Sequence, residues 1–359
     1  MFLYQTSIHR PKTKENGLMY RYIGNKTAII EPLLGILTEG LPTGAHFIDP
    51  MCGTASVSAA LAEAGYRVTA ADILTFPGYH AEVRLRMRKP PRFKLLGAEY
   101  FSVLDELNAL PGSPGYYWKE YSEEGHPTNA EKPRLYFTAE NAAHLDAIDS
   151  KMRLWKAEGK LSKEEWILLR HDLIMAVNKI ANIAGTYGHY RSTFSKASLA
   201  RLQLKPSKFN PWANASNKVL KGAAESITRH QKVDAIYLDP PYTKRQYGAN
   251  YHLLETLAVG DNPQPIGESG LRDWWPQYSN FCSKRKIHQA FESVLSGGNY
   301  STAFISYSED GLIDAGELRE ILEMYGDVKM HTLSHKRFRS NQSRLSKSLL
   351  EYVFEVKPK

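Results

Sequence analysis

Residues 46–72 of this chain have the sequence HFIDPMCGTASVSAALAEAGYRVTAAD. His46 to Asp49 predicts a short strand that runs into a bend at Gly53, and the alanine-rich stretch from Ser56 to Glu63 predicts a helix packed closely on a sheet. A second predicted strand follows and ends at Asp72. Strand, tight turn, helix and strand in this order is the βαβ pattern of a parallel sheet, so we predict an α/β fold.

The bend and the acid after the second strand also indicate chemistry. A glycine at position 53 lets a ligand approach the backbone and exposes N–H groups at the start of a helix. Asp72 stands 23 positions after Asp49, and an acid at the end of this strand can accept hydrogen bonds from both hydroxyls of a ribose. We therefore predict a nucleoside site here, although an acid that simply ends a strand remains the alternative.

A second strand end carries the sequence IYLDPPY, residues 236–242. The carboxylate of Asp239 can accept a hydrogen bond from an exocyclic amine, and the carbonyl of Pro240 can accept another. The two prolines fix the backbone and end the strand. The ring of Tyr242 offers a flat face on which a base can stack. This quartet indicates action on the amino group of a planar base, whereas a plain tight turn is the other interpretation.

Composition sets broad limits on function. Of 359 residues, 42% are hydrophobic and 23% are charged, which suits an ordinary buried core. The two cysteines, Cys52 and Cys282, form no CxxC pair, so we expect neither a disulfide framework nor a metal site. We see no signal segment or apolar run, and we expect a cytoplasmic protein without membrane contact. The net charge of +8 favours a polyanionic partner, or reflects solubility alone.

The middle of the chain differs from its ends. From residue 76 the sequence is rich in proline, glycine, tyrosine and charge, and it then gives two predicted helices, the second introduced by a capping box at Ser162 and Glu165. A strand resumes at Val233, and residues 328–333 and 349–356 predict an antiparallel hairpin near the end. We predict a catalytic domain formed by residues 1–75 and 215–359, with an inserted, largely helical or irregular domain at 76–214.

These motifs, together with RYIGNK at residues 21–26, resemble the Dam-like, D12 class of DNA N6-adenine methyltransferases. That family has the same order: an aromatic–glycine–lysine motif, a glycine turn, an acid, an inserted recognition segment and a D-P-P-Y quartet. The resemblance covers about residues 18–75 and 215–359. It departs at Asn25, Met51 and Ala55, which stand at positions where the family has glycine, phenylalanine and glycine.

The resemblance implies a Rossmann-like, S-adenosylmethionine-dependent methyltransferase fold, double-stranded DNA as substrate, and a recognition role for residues 76–214. It implies direct transfer of the methyl group to the N6 amine of a flipped adenine. The catalytic group would be Asp239, Pro240 and Tyr242. The residues that would bind the cofactor are Tyr22, Lys26, Asp49, Gly53, Asp72 and Asp239.

Three basic stretches are candidates for DNA contact. Residues 243–252 alternate cationic, polar and aromatic side chains, and we interpret them as a loop that gates the pocket and touches nucleic acid. A second cluster lies between the predicted hairpin strands, and a third at residues 189–201 lies beside the middle helix. The nucleic-acid contacts predicted from the first two are Lys244, Arg245, Tyr247, Lys336, Arg337 and Arg339.

Other functions remain open at this stage. The quartet also occurs in methyltransferases that act on guanine N2 of ribosomal RNA or on cytosine N4, and a non-catalytic nucleic-acid-binding module could keep the same fold. A nicotinamide-dependent oxidoreductase would require a full G-x-G-x-x-G turn, of which only Gly53 is present. The sequence specifies neither the DNA site nor whether a separately encoded restriction endonuclease accompanies the protein.

Overall fold

The computed structural model describes residues 22–229, 231–297, 299–336 and 348–358. Within these ranges, a single sheet has the strand order β3-β2-β1-β4-β5-β7-β6. The first five strands are parallel, and β7 is antiparallel to both of its neighbours. The strands are β1 (His46–Asp49), β2 (Arg67–Asp72), β3 (Lys218–Lys221), β4 (Lys232–Leu238), β5 (Asn299–Ser308), β6 (Asp327–Lys336) and β7 (Ser348–Lys357).

Helices cover both faces of this sheet and form a further layer beside it. Those described are α1 (Ile30–Thr38), α2 (Ser56–Glu63), α3 (Thr75–Arg86), α4 (Tyr100–Asn108), α5 (Tyr116–Tyr121), α6 (Ala139–Ala157), α7 (Lys163–Ile180), α8 (Ala224–Thr228), α9 (Tyr247–Asn250), α10 (His252–Val259), α11 (Ile287–Leu295) and α12 (Ala315–Glu323). No helix in the described ranges is both long and apolar enough to cross a bilayer.

Successive side chains of the central strands contact different helices on the two faces of the sheet. Phe47 of β1 packs with the side chains of α1, α2 and α3, whereas the next residue, Ile48, packs with those of α11 and α12. Successive side chains of a strand point to opposite faces, so a strand buried on both faces is apolar without a break. The predicted α/β class and the antiparallel hairpin at the end of a mostly parallel sheet are confirmed.

The middle of the chain forms a helical layer with its own core. Helices α4 to α7 pack there around buried tyrosine, leucine and tryptophan side chains. The predicted capping box is present, because Ser162 Oγ accepts from the Glu165 N–H at 3.2 Å and Glu165 Oε2 accepts from the Ser162 N–H at 2.7 Å. Helix α7 ends at Ile180 rather than near Gly185, since the Asn182 N–H donates to a carbonyl outside the helix, that of Tyr136.

Three elements differ from the sequence-based expectation. Helix α3 begins at Thr75 and packs on the sheet where an irregular segment was expected, and Pro77 is tolerated because first-turn N–H groups have no helical acceptor. Strand β3 was missed because it has only four residues at the sheet edge. The predicted boundary between residues 75 and 76 falls in the first turn of α3, and the division into two domains stays a prediction.

The third difference corrects the predicted gating loop. Residues 243–246 are irregular, but α9 and α10 occupy most of the remainder up to 259. Tyr251 and Leu253 are buried in the helical layer. The stretch was assigned to a loop because its cationic start hid the apolar run that follows from His252. The second half of this stretch therefore supports the pocket and cannot swing over it as a loop.

Candidate active site

A cavity of about 390 Å³ opens at the carboxyl ends of β1, β2 and β4. This is the place where open parallel sheets bind ligands, because the strand order changes direction there and the flanking loops part. Segments that are far apart along the chain meet around it. The lining residues include Tyr22, Gly24, Lys26, Asp49, Gly53, Asp72, Ala223, Ala224, Glu225, Asp239, Pro240, Tyr242, Tyr247, Gln277 and Tyr278.

The glycine turn and the acid after β2 are joined directly. The Gly53 N–H donates to Asp72 Oδ2 at 3.1 Å, and the Leu74 N–H donates to Asp72 Oδ1 at 2.9 Å. Burial raises the pKa of the Asp72 carboxyl to about 7, although these N–H groups favour the charged form. The turn therefore holds one carboxylate at a fixed position in the cavity wall, where a hydroxyl-bearing ligand can share it.

Gly53 is required at its position for two reasons. Its φ of +49° lies in the left-handed region, and a Cβ there would come within 2.8 Å of Tyr22 Cε1. The neighbouring Ala55 has a φ of +55° although it carries a Cβ. A left-handed conformation costs a non-glycine residue about 1–2 kcal/mol. The structure thus shows why the related family has glycine where this chain has Ala55.

Tyr22 and Tyr247 line one wall of the cavity, and the buried Tyr251 packs behind them. The ring of Tyr22 stacks on that of Tyr251 with centroids 4.8 Å apart, and Tyr247 meets Tyr22 edge-on at 5.6 Å. Tyr251 Oη accepts from the Ile23 N–H at 2.7 Å, and the Tyr247 hydroxyl donates to the Ile23 carbonyl at 3.1 Å. Tyr247, predicted as a nucleic-acid contact, thus packs against Tyr22 and Ile23 in the cavity wall, and its contact with nucleic acid stays a prediction. No separate signal in the sequence indicated Tyr251.

The central contact of the site joins both ends of the chain. Lys26 Nζ lies 2.8 Å from Asp239 Oδ1 and 3.1 Å from Glu351 Oε1, and it also donates to the Gly24 carbonyl at 3.3 Å. Glu351 comes from β7 and accepts from Ser306 Oγ of β5 at 2.5 Å. Lys26 was predicted to contact the cofactor, but in the structure its ammonium group pairs with the carboxylate of Asp239.

The sequence reasoning missed Glu351 and Ser306. Both side chains are buried, and they are far from every motif along the chain. The available signal was a charged residue on the same strand face as Leu349 and Val353, both apolar. A buried carboxylate needs a partner, so this break in alternation could have indicated a nearby cation.

Burial and neighbouring charges oppose each other at Asp239. The pKa of the Asp239 carboxyl is raised to about 6, because loss of hydration and, to a smaller extent, the negative charge of Glu351 together outweigh the lowering effect of the Lys26 ammonium. The pKa of Lys26 is well above its ordinary value, because attraction to the carboxylates outweighs the effect of burial. Lys26 therefore keeps Asp239 available as an ionised acceptor near neutral pH.

The D-P-P-Y quartet follows β4 directly and enters the same cavity. Tyr242 is half-buried, and its ring meets Tyr307 edge-on with centroids 6.0 Å apart. Lys26 Nζ lies 5.3 Å from the centre of the Tyr242 ring. The structure thus brings Asp239, Pro240 and Tyr242 together with Asp72 around one space. Asp49 is also buried there, and burial raises the pKa of its carboxyl to about 7 while Ser58 Oγ donates to it at 2.6 Å.

The predicted nucleic-acid residues are only partly described. Lys244 and Arg245 are exposed immediately after the quartet. The side chain of Lys336 and the whole of Arg337 and Arg339 lie outside the described residues. In the third basic cluster, Arg191, Lys196 and Arg201 are exposed, and His189 Nδ1 is 2.8 Å from Ser269 Oγ.

The sheet order, the antiparallel β7 between β5 and β6, the glycine turn after β1 and the acid after β2 together define a Rossmann-like methyltransferase fold. The quartet after β4 supplies oxygen acceptors for the hydrogens of a substrate amine. Residues 22–337 match the model of the D12 class N6 adenine-specific DNA methyltransferases. The chain belongs to that family.

Named relatives agree with this membership. The chain is similar to type II methyltransferase M.FokI of Planomicrobium okeanokoites, with 30% identity over 94% of this chain and 52% of that protein. It is 31% identical to M.NlaIII of Neisseria lactamica, over 70% of this chain and 74% of the relative. M.CviAII of Paramecium bursaria Chlorella virus 1 is 28% identical over 93% and 97%. The chain thus spans about half of M.FokI but nearly all of M.CviAII.

Proposed function

We propose that this chain transfers the methyl group of S-adenosylmethionine to the N6 amine of an adenine extruded from a specific site in double-stranded DNA. One observation carries the proposal: the acceptor pair Asp239 and Pro240 shares a single cavity with the Gly53 turn and Asp72. The family membership and the relatives named as type II methyltransferases support the same substrate class.

The residues present fit this cofactor. Its nucleoside part needs an acceptor for two ribose hydroxyls and a close backbone approach, and Asp72 and Gly53 supply these beside the wall formed by Tyr22. Ala223, Ala224 and Glu225 line the same cavity and can contact the adenine of the cofactor. When bound, the cofactor supplies an electrophilic methyl group on a sulfonium, so no covalent enzyme intermediate is required.

The protein groups act on the amine that receives the methyl group. The nitrogen lone pair of adenine N6 is delocalised into the ring, which makes it a poor nucleophile. Accepting both N6 hydrogens, by the Asp239 carboxylate and the Pro240 carbonyl, favours a pyramidal nitrogen and stabilises the positive charge that develops on it. Asp239 Oδ1 already accepts from Lys26, which leaves Oδ2 for the substrate.

The base must leave the duplex to reach this pocket. Extrusion costs a few kcal/mol, and stacking on the Tyr242 ring returns roughly 1–3 kcal/mol. Exposed Lys244 and Arg245, next to the quartet, can contact the phosphates on either side. We assign recognition of the DNA sequence to residues 76–214, where Arg191, Lys196 and Arg201 are exposed cations.

Expression in a host that lacks adenine methylation, followed by modification-sensitive sequencing, tests the proposal and identifies the DNA site. We expect N6-methyladenine in one short motif with the native chain and none with Asp239→Ala. Glu320→Gln, which changes an exposed carboxylate of α12, is the control and should keep full activity.

Calorimetry with S-adenosylmethionine separates loss of chemistry from loss of the cofactor site. Asp239→Ala should still bind DNA and should at most weaken cofactor binding, whereas Asp72→Ala should lose cofactor binding. Near-normal turnover by Asp239→Ala, or methyl incorporation into ribosomal RNA and not into duplex DNA, would overturn the assignment.

A further inference from the structure

The segment between α10 and α11 carries an exposed group of stacked aromatic rings at the cavity mouth. Trp274 and Trp275 stack with centroids 4.7 Å apart and 19° between their planes. Tyr278 is nearly parallel to Trp275, at 5.8 Å and 12°. Trp275 remains 67% exposed, whereas Tyr278 and its neighbour Gln277 line the cavity itself. We call Trp274, Trp275 and Tyr278 the aromatic platform.

Two polar contacts fix this segment to the catalytic framework. Gln246, four residues after Tyr242, accepts from the Ser279 N–H at 2.8 Å and donates to the Ser279 carbonyl at 3.0 Å. Gln277 Nε2 donates to Glu255 Oε1 at 2.7 Å. The other oxygen of Glu255 accepts the N–H of Thr75 at 2.7 Å, close to Asp72. The platform is thus held in position relative to both halves of the site and is not a freely moving surface loop.

The charges around the platform are mainly cationic and suit an anionic partner, although Asp273 Oδ1 accepts from the Trp275 N–H at 3.1 Å within the same segment. Lys286 Nζ lies 5.0 Å from the centre of the Tyr278 ring, and Arg285 is exposed beside it. Arg245 lies on the loop tied to the same segment, since its carbonyl accepts from Cys282 Sγ at 3.4 Å. Flat rings bordered by cations are the arrangement with which proteins bind unpaired nucleobases, because every base has a face on which to stack.

We infer that the aromatic platform stacks a nucleobase of the DNA next to the adenine that enters the cavity. The inference rests on the proposed function and extends it to a second base. Extrusion of the adenine removes the stacking partner of its neighbours, so an exposed ring at the rim compensates for a contact that the duplex has lost. Trp275 is the residue that presents its ring to solvent for this contact.

Tryptophan fluorescence tests the stacking independently of catalysis. A single-stranded 12-nucleotide DNA should quench the fluorescence of the native chain, whereas a 12-unit abasic strand of equal charge should not. Trp275→Ala should weaken binding of the first strand by about 5- to 150-fold, the range expected for the loss of one base stack, and should leave binding of the abasic strand unchanged. Trp275→Phe keeps a ring and should retain most of the affinity.

The stacked base can be identified with DNA duplexes that contain the methylation site found by sequencing. Removal of the base on the 5′ side or on the 3′ side of the target adenine should abolish the difference between the native chain and Trp275→Ala in one of the two duplexes, whereas an effect only on removal of the opposite base would overturn the proposal. Met324→Ala, which truncates an apolar side chain that is 68% exposed and does not line the cavity, should behave as the native chain.

The outcomes distinguish the two proposals. Equal affinity of Trp275→Ala and the native chain for the base-containing strand, with normal methylation by both, would overturn the stacking role and leave the enzyme assignment intact. Base-dependent quenching that requires Trp275, in a chain that never methylates DNA, would overturn the enzyme assignment and keep the platform. Quenching by the abasic strand would show that the platform senses charge alone.

Discussion

The ion pair between Lys26 and Asp239 leads to a quantitative prediction about pH. Replacing Lys26 by methionine removes a cation 2.8 Å from Asp239 Oδ1 and keeps the length of the side chain. Coulomb's law gives about 6 kcal/mol for this pair at an effective dielectric constant of about 20, which equals about four pKa units. Measured effects of a close opposite charge are about 1–3 units, because water and side chains relax into the space.

The pKa of Asp239 should therefore rise from about 6 to about 7–9 in Lys26→Met. Only the carboxylate can accept from the amine without donating, so activity falls as pH drops through this pKa. The acid limb of kcat against pH, measured as methyl incorporation at saturating cofactor and DNA, should move upward by 1–3 pH units (about the pKa change). At pH 7.5 a pKa of about 8 would leave about one quarter of the carboxyl ionised.

The Glu351→Gln variant should shift the pKa of Asp239 in the opposite direction, and so it tests the same reasoning. Glutamine keeps an oxygen that can accept from Ser306 and Lys26 but removes the like charge that raises the pKa of Asp239. Its acid limb should move below that of the native chain. Lys232→Met is the matched control, because it removes an exposed cation at the other end of β4, about 23 Å from Asp239, and should leave the profile unchanged.

The electrostatic reasoning is refuted by a particular pattern in these profiles. If Lys26→Met and Glu351→Gln both lose the same fraction of kcat at every pH, with no movement of the acid limb, the lysine only fills space. Thermal unfolding of each variant guards against a trivial loss of fold. Calorimetry with S-adenosylmethionine shows whether Lys26 also contributes to cofactor affinity, as the family resemblance implies.

Three further changes have outcomes that follow from the geometry. Gly53→Ala should weaken S-adenosylmethionine binding by at least about tenfold, since its Cβ would displace the Tyr22 ring, and calorimetry measures this. The free energy of unfolding of Ala55→Gly, measured by denaturant titration, should exceed that of Ala62→Gly by about 2 kcal/mol. Glycine relieves the left-handed strain at residue 55 but weakens the helix at residue 62. Tyr242→Ala should raise the KM for DNA about 5- to 150-fold through lost base stacking, whereas Tyr242→Phe should change it little.

Three of the groups located from the sequence lie at the ends of parallel strands. Gly53 follows β1, Asp72 ends β2 and Asp239 follows β4, and parallel strands place their carboxyl ends at one edge of a sheet. Local motifs therefore determined a three-dimensional neighbourhood without any knowledge of long-range contacts. Their shared cavity confirms that they lie together, while the roles assigned to them stay predictions.

Groups that depend on register could not be located in this way. Glu351 faces Lys26 because β7 runs antiparallel to β5 with Glu351 opposite Ser308. A shift of one residue would turn its carboxylate to the other face of the sheet, and no local pattern specifies that pairing. Helix α10 was missed for a related reason, since only its burial against the helical layer explains the apolar run after the cationic residues.

The contact between Lys26 and Glu351 also has a consequence for synthesis of the protein. The two residues are 325 positions apart, so a ribosome makes the lysine early and its second carboxylate partner only after most of the polypeptide. Until β7 has been translated and has joined the sheet, Lys26 lacks its ion pair with Glu351. If translation ends before β7, we expect the truncated protein to leave DNA unmethylated, and not to methylate it at random sites.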